Sequence, residues 1–163
     1  MNLFRKLAVA VLFFGFLAFP APGHAARSCW DYIDAERAFI TKINRARNAH
    51  GVRRLDPDRH IARVSRYYVH EMLRSGSLFH TPFSKLSWRV TNEVALGENI
   101  GYAGGVRKLF RLMMSSSLHR ANILNPAWTH LGVGTGRKNG RLWTTMTFEA
   151  RRDPGTRLSM PKC

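Results

Sequence analysis

Residues Ser115–Gly134, SSSLHRANILNPAWTHLGVG, decide how the rest of the chain is read. His119, Arg120 and Asn122 stand immediately before an apolar pair, Ile123 and Leu124. Pro126 ends any helix, because it has no N–H and disfavours the helical conformation at Asn125. Leu131-Gly132-Val133-Gly134 then reads as a strand whose glycines allow another backbone to come close. A polar cluster between apolar runs is costly unless its members have partners. Upstream, two side chains stand out for that role: Glu98 in Gly97-Glu98-Asn99-Ile100-Gly101, and His80 in Ser77-Leu78-Phe79-His80-Thr81.

Outward from this stretch the elements fall into an order of helices followed by strands. The spacing predicts a helix from Asp31 to His50, with Asp31 as its cap and Ile33, Phe39, Ile40, Ile43 and Ala46 on its apolar face. Asn44 and Arg47 share another face and read as solvent-facing or capping groups. A second helix runs from Asp58 to Ser75, between Pro57 and Gly76, with Ile61, Ala62, Val64, Tyr68 and Met72 inward. Thr81 to Asn92 reads as a loop with Trp88 as its anchor. Val106–Ser116 reads as a helix with Leu109, Phe110 and Met113 apolar, its methionines filling core space. Leu131–Gly136 and Leu142–Phe148 form a hairpin around Asn139-Gly140, a strong turn pair, and Thr144, Thr145 and Thr147 favour the strand. Arg151–Lys162 is a polar tail. Helices followed by strands predict an α+β fold rather than a doubly wound sheet.

The length of 163 residues suits one domain. Residues 1–25 read as a secretory leader: Arg5 and Lys6 form a basic start, and Leu7 to Phe19 is an apolar run short for a membrane span. Pro20 and Pro22 break the run, and Gly23-His24-Ala25 offers small residues for cleavage near Ala25. An uncleaved N-terminal anchor is the other reading. Cys29 and Cys163 both survive cleavage, and in an exported protein an even pair reads first as a disulfide, though two free thiols stay open. Such a bridge would contribute about 4–5 kcal/mol in the chain-entropy picture.

The chain is strongly basic, with 26 Lys and Arg against 10 Asp and Glu, a net +16. Removing Arg5 and Lys6 with the leader leaves 24 against 10, a net +14. Either this is a solvated surface, or it serves adhesion to an anionic wall polymer or membrane surface. RRM, KH, helix-turn-helix and zinc-finger signatures are missing, so no specific nucleic-acid readout is expected. A monomer is expected.

The order Asn44-x-x-Arg47, Gly51, Leu55, Met72, His80, Gly97-Glu98-Asn99-Ile100, Ser116-x-x-His119-Arg120-x-Asn122-Ile123-Leu124 and Gly132-Val133-Gly134 resembles the CAP (SCP-like, pathogenesis-related-1-like) domain in its short bacterial form. The resemblance covers about Phe39 to Phe148. It implies an α-β-α sandwich, with helices packed on a small, mostly antiparallel sheet across residues 26–163. It also implies secretion and a cleft in which His80, Glu98 and His119 gather. Arg120, Asn122, Asn99 and Ser116 would support that cleft. In the eukaryotic branch a second glutamate follows a tryptophan by three residues; here Met113 and Ser116 hold those positions. Glu93 is the available substitute.

Two imidazoles and a carboxylate would leave a position open on Zn2+ or another divalent metal, with His80, Glu98 and His119 as ligands. Three functions follow. The first is a binding domain whose cleft takes a divalent metal or a small or lipid-like ligand without turnover. The second is a zinc-dependent, peptidase-like hydrolase with Glu98 as base. The third is a basic protein adhering to anionic wall polymers or a membrane surface.

Overall fold

The computed structural model describes residues 31–152 and 154–158. The leader, and the proposed pairing of Cys29 with Cys163, lie outside the described residues.

Helix α1 spans Asp34–Ala49. It starts later than the sequence predicts, because Glu36 turns back to accept the Ile33 N–H (3.3 Å) and Asp31 is left outside the first turn. Strand β1, Asp56–Pro57, leads into α2, Arg59–Ser75. Asp58 caps α2 by accepting the His60 and Ile61 N–H groups, and Gly76 ends it in the left-handed conformation. The sequence places both ends of this helix correctly.

Thr81 to Asn92 is not simply a loop. Phe83–Arg89 forms a short helix, α3, directly after Pro82, and Val90–Thr91 forms β2. Leu86, not Trp88, anchors it by packing against Val64, Tyr68 and Val90. Strand β3 is Leu96–Ala103, followed by α4, Val106–Ser115, and α5, Ser117–Leu124. Strands β4, His130–Lys138, and β5, Arg141–Glu149, form the hairpin, with Asn139 and Gly140 both at positive φ (50° and 70°). The tail contributes β6, Gly155–Thr156, which pairs antiparallel with β2.

The main sheet has the order β1-β4-β5-β3, parallel only between β1 and β4. Helix α2 covers one face, and α1, α4 and α5 cover the other. On the latter face Phe39, Ile43, Leu109, Met113 and Ile123 pack against Leu131, Val133, Met146 and Phe148. The opposite face of β4 is a glycine track. A Cβ on Gly132 would lie 2.3 Å from the Ala62 nitrogen, and one on Gly134 2.3 Å from the Arg66 nitrogen. Backbone therefore sits on backbone there, and the Ser65 hydroxyl donates across the gap to the Gly132 carbonyl (3.1 Å).

Two polar residues predicted to face solvent are core members instead. Asn44 exchanges two hydrogen bonds with the Leu55 backbone (2.8 and 2.9 Å). Arg47 is fully buried and donates to the carbonyls of Arg53, Ile123 and Asn125 (2.7, 2.8 and 2.9 Å). The last two carbonyls lie at the end of α5, where a cation also meets the negative end of the helix dipole.

Candidate functional site

Strand β3 is the outer strand of the sheet, so its residues alternate at an open edge. Glu98 and Asn99 project to opposite sides of it. Gly97 makes room for what covers that edge: a Cβ there would lie 2.7 Å from both Asn122 Oδ1 and Trp128 Cζ2. Helix α5 lies across the gap. Asn122 donates to the Glu98 carbonyl (3.2 Å) and to Asn99 Oδ1 (3.1 Å), while Asn99 Nδ2 donates to the His119 carbonyl (3.0 Å). Trp128 Nε1 donates to Asn122 Oδ1 (3.1 Å), which fixes the orientation of that amide.

The Glu98 carboxylate is held from the segment after α2. Its Oε1 accepts the Thr81 N–H (3.0 Å) and lies 2.9 Å from His80 Nδ1; its Oε2 accepts the Thr81 hydroxyl (2.7 Å). The Glu98 side chain is 6% exposed, whereas His80 is 63% exposed. His80 is therefore not a core histidine but a surface ring steadied by one nitrogen. His119 Nδ1 lies 2.9 Å from Ser116 Oγ. Burial lowers the His119 pKa, and the nearby His80 lowers it further, which favours the neutral ring.

These residues border one open cleft of about 440 Å³, with His80, Glu98, Asn99, His119 and Asn122 around it and Leu118 at its rim. Of the site residues read from the sequence, the structure gathers His80, Glu98, His119, Asn99, Asn122 and Ser116. Two stand elsewhere. Arg120 is exposed and donates to His50 Nε2 (3.2 Å), because one residue along a helix turns it about 100° away from His119. Glu93 does not line the cleft; its charge acts on Glu149.

As a three-ligand metal set the arrangement does not fit. Among the described residues no group of three or more His, Cys, Asp or Glu side chains is placed to hold a metal ion, and both Glu98 oxygens are occupied by Thr81 and His80. His80 and His119 each have Nδ1 engaged by an oxygen, so Nε2 is the nitrogen that each ring presents to a ligand.

Two supports, Thr81 and Trp128, are not singled out by the sequence, and a third, Arg47, is assigned there to a solvent-facing or capping role. Thr81 adjoins His80, and a hydroxyl beside a site histidine was the signal available. Nothing local marks Arg47, whose acceptors lie 76 and 78 residues away.

Residues 40–148 match the cysteine-rich secretory protein (CAP) family, and the chain belongs to it. Among curated proteins it is 30% identical over 121 residues to the uncharacterised protein YkwD of Bacillus subtilis strain 168. That match covers 67% of this chain and 45% of YkwD, so the chain spans less than half of that relative's length. Among solved structures, an extracellular protein containing a SCP domain from Bacillus anthracis strain Ames aligns with a TM-score of 0.63 at 22% identity, over 72% of this chain and 40% of that one. An outer surface protein of Borrelia burgdorferi aligns with a TM-score of 0.62 at 14% identity, over 74% of this chain and 97% of that one.

Proposed function

We propose that this chain is an exported binding domain whose cleft holds a divalent metal ion, such as Zn2+, on the Nε2 atoms of His80 and His119, without turnover. The observation that carries this reading is the matched pair of imidazoles on one cleft, each oriented through Nδ1, by Glu98 in one case and by Ser116 in the other. Neutral imidazole suits zinc and its neighbours in the first transition row. A carboxylate behind a ligating histidine fixes its tautomer and raises its basicity, which makes Glu98 a positioning residue for His80. With both oxygens spent on protein donors, Glu98 is better placed to orient a ring than to take a proton from water. Two protein ligands leave the remaining positions on the ion for water or for a small molecule reaching in past Leu118. Export is supported by the leader read from the sequence and by similar proteins described as extracellular or outer-surface.

Calorimetric titration with Zn2+ tests the reading. Wild type binds; His80→Ala and His119→Ala each lose the heat, and Glu98→Gln weakens affinity about ten- to a hundredfold. Equal isotherms for wild type and His119→Ala remove the cleft from the account. Peptide or ester turnover that a chelator abolishes in wild type would show that the bound ion is catalytic.

A further inference from the structure

We infer that a second groove, beside the cleft and sharing His80 with it, binds a stretch of linear acidic polysaccharide. The groove has a volume of about 520 Å³ and is lined by Tyr67, Phe79, His80, Lys85, Trp88 and Arg89 among others. Its rings and cations are interleaved. The Arg89 guanidinium lies 4.1 Å from the centroid of the Tyr67 ring and 5.7 Å from that of Trp88, and its Nε donates to the Tyr68 hydroxyl (3.0 Å). The Arg157 guanidinium lies 5.6 Å from the same Trp88 ring.

Packing accounts for Tyr67 and Arg89, which sit against the Tyr68 cluster, but not for the exposed ring of Trp88. Leu86 is the buried residue of α3 and secures it to the core, yet Trp88 and Phe83 on the same short helix are 56% and 66% exposed. Of these Trp88 lines the groove, together with the part-exposed Phe79, and large exposed aromatics in a groove mark a binding surface. The charge specifies the occupant. Among the residues lining the groove, Lys85 and Arg89, with Arg157 beside them, face a single carboxylate, Glu71, which is already paired with Arg74. The occupant is therefore anionic as well as able to lie flat on aromatic rings. Sugar rings present flat C–H faces that stack on indole and phenol, while their carboxylates take paired N–H donors from arginine or the point charge of lysine. The rings line a concavity of about 520 Å³, which takes a chain segment more readily than a flat bilayer. Because His80 borders both cavities, a polymer in the groove passes the mouth of the histidine cleft.

The test is binding of the purified protein to polygalacturonate and to its methyl-esterified, uncharged counterpart, in the presence of EDTA so that the outcome does not depend on a metal in the cleft. Trp88→Ala changes no charge and weakens binding to the acidic polymer about tenfold through the lost ring stack. Trp88→Phe restores most of it, and Arg111→Ala, an exposed cation away from the groove, shifts it less than about twofold. Binding that is equal for the charged and esterified polymers overturns the inference. So does a Trp88→Ala variant indistinguishable from wild type, or an Arg111→Ala loss as large as that of Trp88→Ala. Tighter binding to anionic vesicles or to a single-stranded oligonucleotide than to the polymer also overturns it.

Discussion

Glu149 closes strand β5 with its side chain fully buried, and neither carboxylate oxygen has a hydrogen-bond partner among the described residues. Burial, reinforced by the charges of Asp58 and Glu93, pushes its pKa up from 4.5 to about 7. A carboxyl whose pKa is higher in the folded state binds its proton more tightly there. Its protonated form is tolerated below pH 4.5, and stability falls as pH rises from 4.5 to about 7. Glu149→Gln, which stays neutral, should remove that slope and be more stable than wild type at pH 8 by on the order of 2 kcal/mol. Urea midpoints of both proteins at pH 5 and pH 8 check this; parallel pH profiles would mean that Glu149 finds a partner when ionised. At the same scale, Thr81 shows how a site residue escapes notice. A threonine next to a histidine carries no pattern of its own, and its two bonds to Glu98 exist only once β3 lies beside it.

Strand β4 and helix α2 depend on each other through the glycine track. Gly134→Ala would drive a methyl group to 2.3 Å from the Arg66 nitrogen and the Ser65 carbonyl carbon. Backbone cannot yield as a side chain can, so this substitution should destabilise by more than about 3 kcal/mol. Gly104→Ala, where a Cβ meets nothing within 4 Å, should change stability by less than about 0.5 kcal/mol. Thermal denaturation of the pair decides it, and similar losses in both would refute the close approach. Helix α5 relies in the same way on Arg47. Arg47→Met should cost about 3 kcal/mol, because the carbonyls of Ile123 and Asn125 lose their buried donor. Native-state amide exchange should then speed up in α5 before it does in the β4–β5 hairpin. Uniform acceleration would place Arg47 in the global core rather than at this helix end.

The whole molecule is closed at one edge of its sheet by an ion pair. Strand β1 covers only the first residues of β4, at His130 and Leu131, and beyond it the Thr135 N–H points outward. Glu36 from α1 accepts that N–H (3.2 Å) and also receives Arg66 from α2 through two hydrogen bonds (2.9 and 2.5 Å). The pair thus ties the helices on opposite faces together across an otherwise open edge. Removing the charge at the fully buried partner leaves the other charge poorly compensated, so Glu36→Gln should cost about 3 kcal/mol. Chemical denaturation measures it, with a loss below about 1 kcal/mol indicating that water replaces the clamp.

Local physics was enough for most of the architecture. The cap at Asp58, the stop at Gly76, the Asn139-Gly140 turn and the strand preference around Thr144 act within a few residues, so the sequence alone determined α2, the hairpin and the α+β class. It also marked His80, Glu98, Asn99, His119 and Asn122, because their spacing resembles a family that gathers them. Only the tertiary structure decided that Asn44 and Arg47 are buried, that Arg120 turns away, and that Trp88 stands open in a basic groove. Each of those outcomes depends on which distant surfaces the sheet brings together, and hydrophobic periodicity carries no information about a partner far along the chain, such as the Ile123 carbonyl that Arg47 reaches across 76 residues.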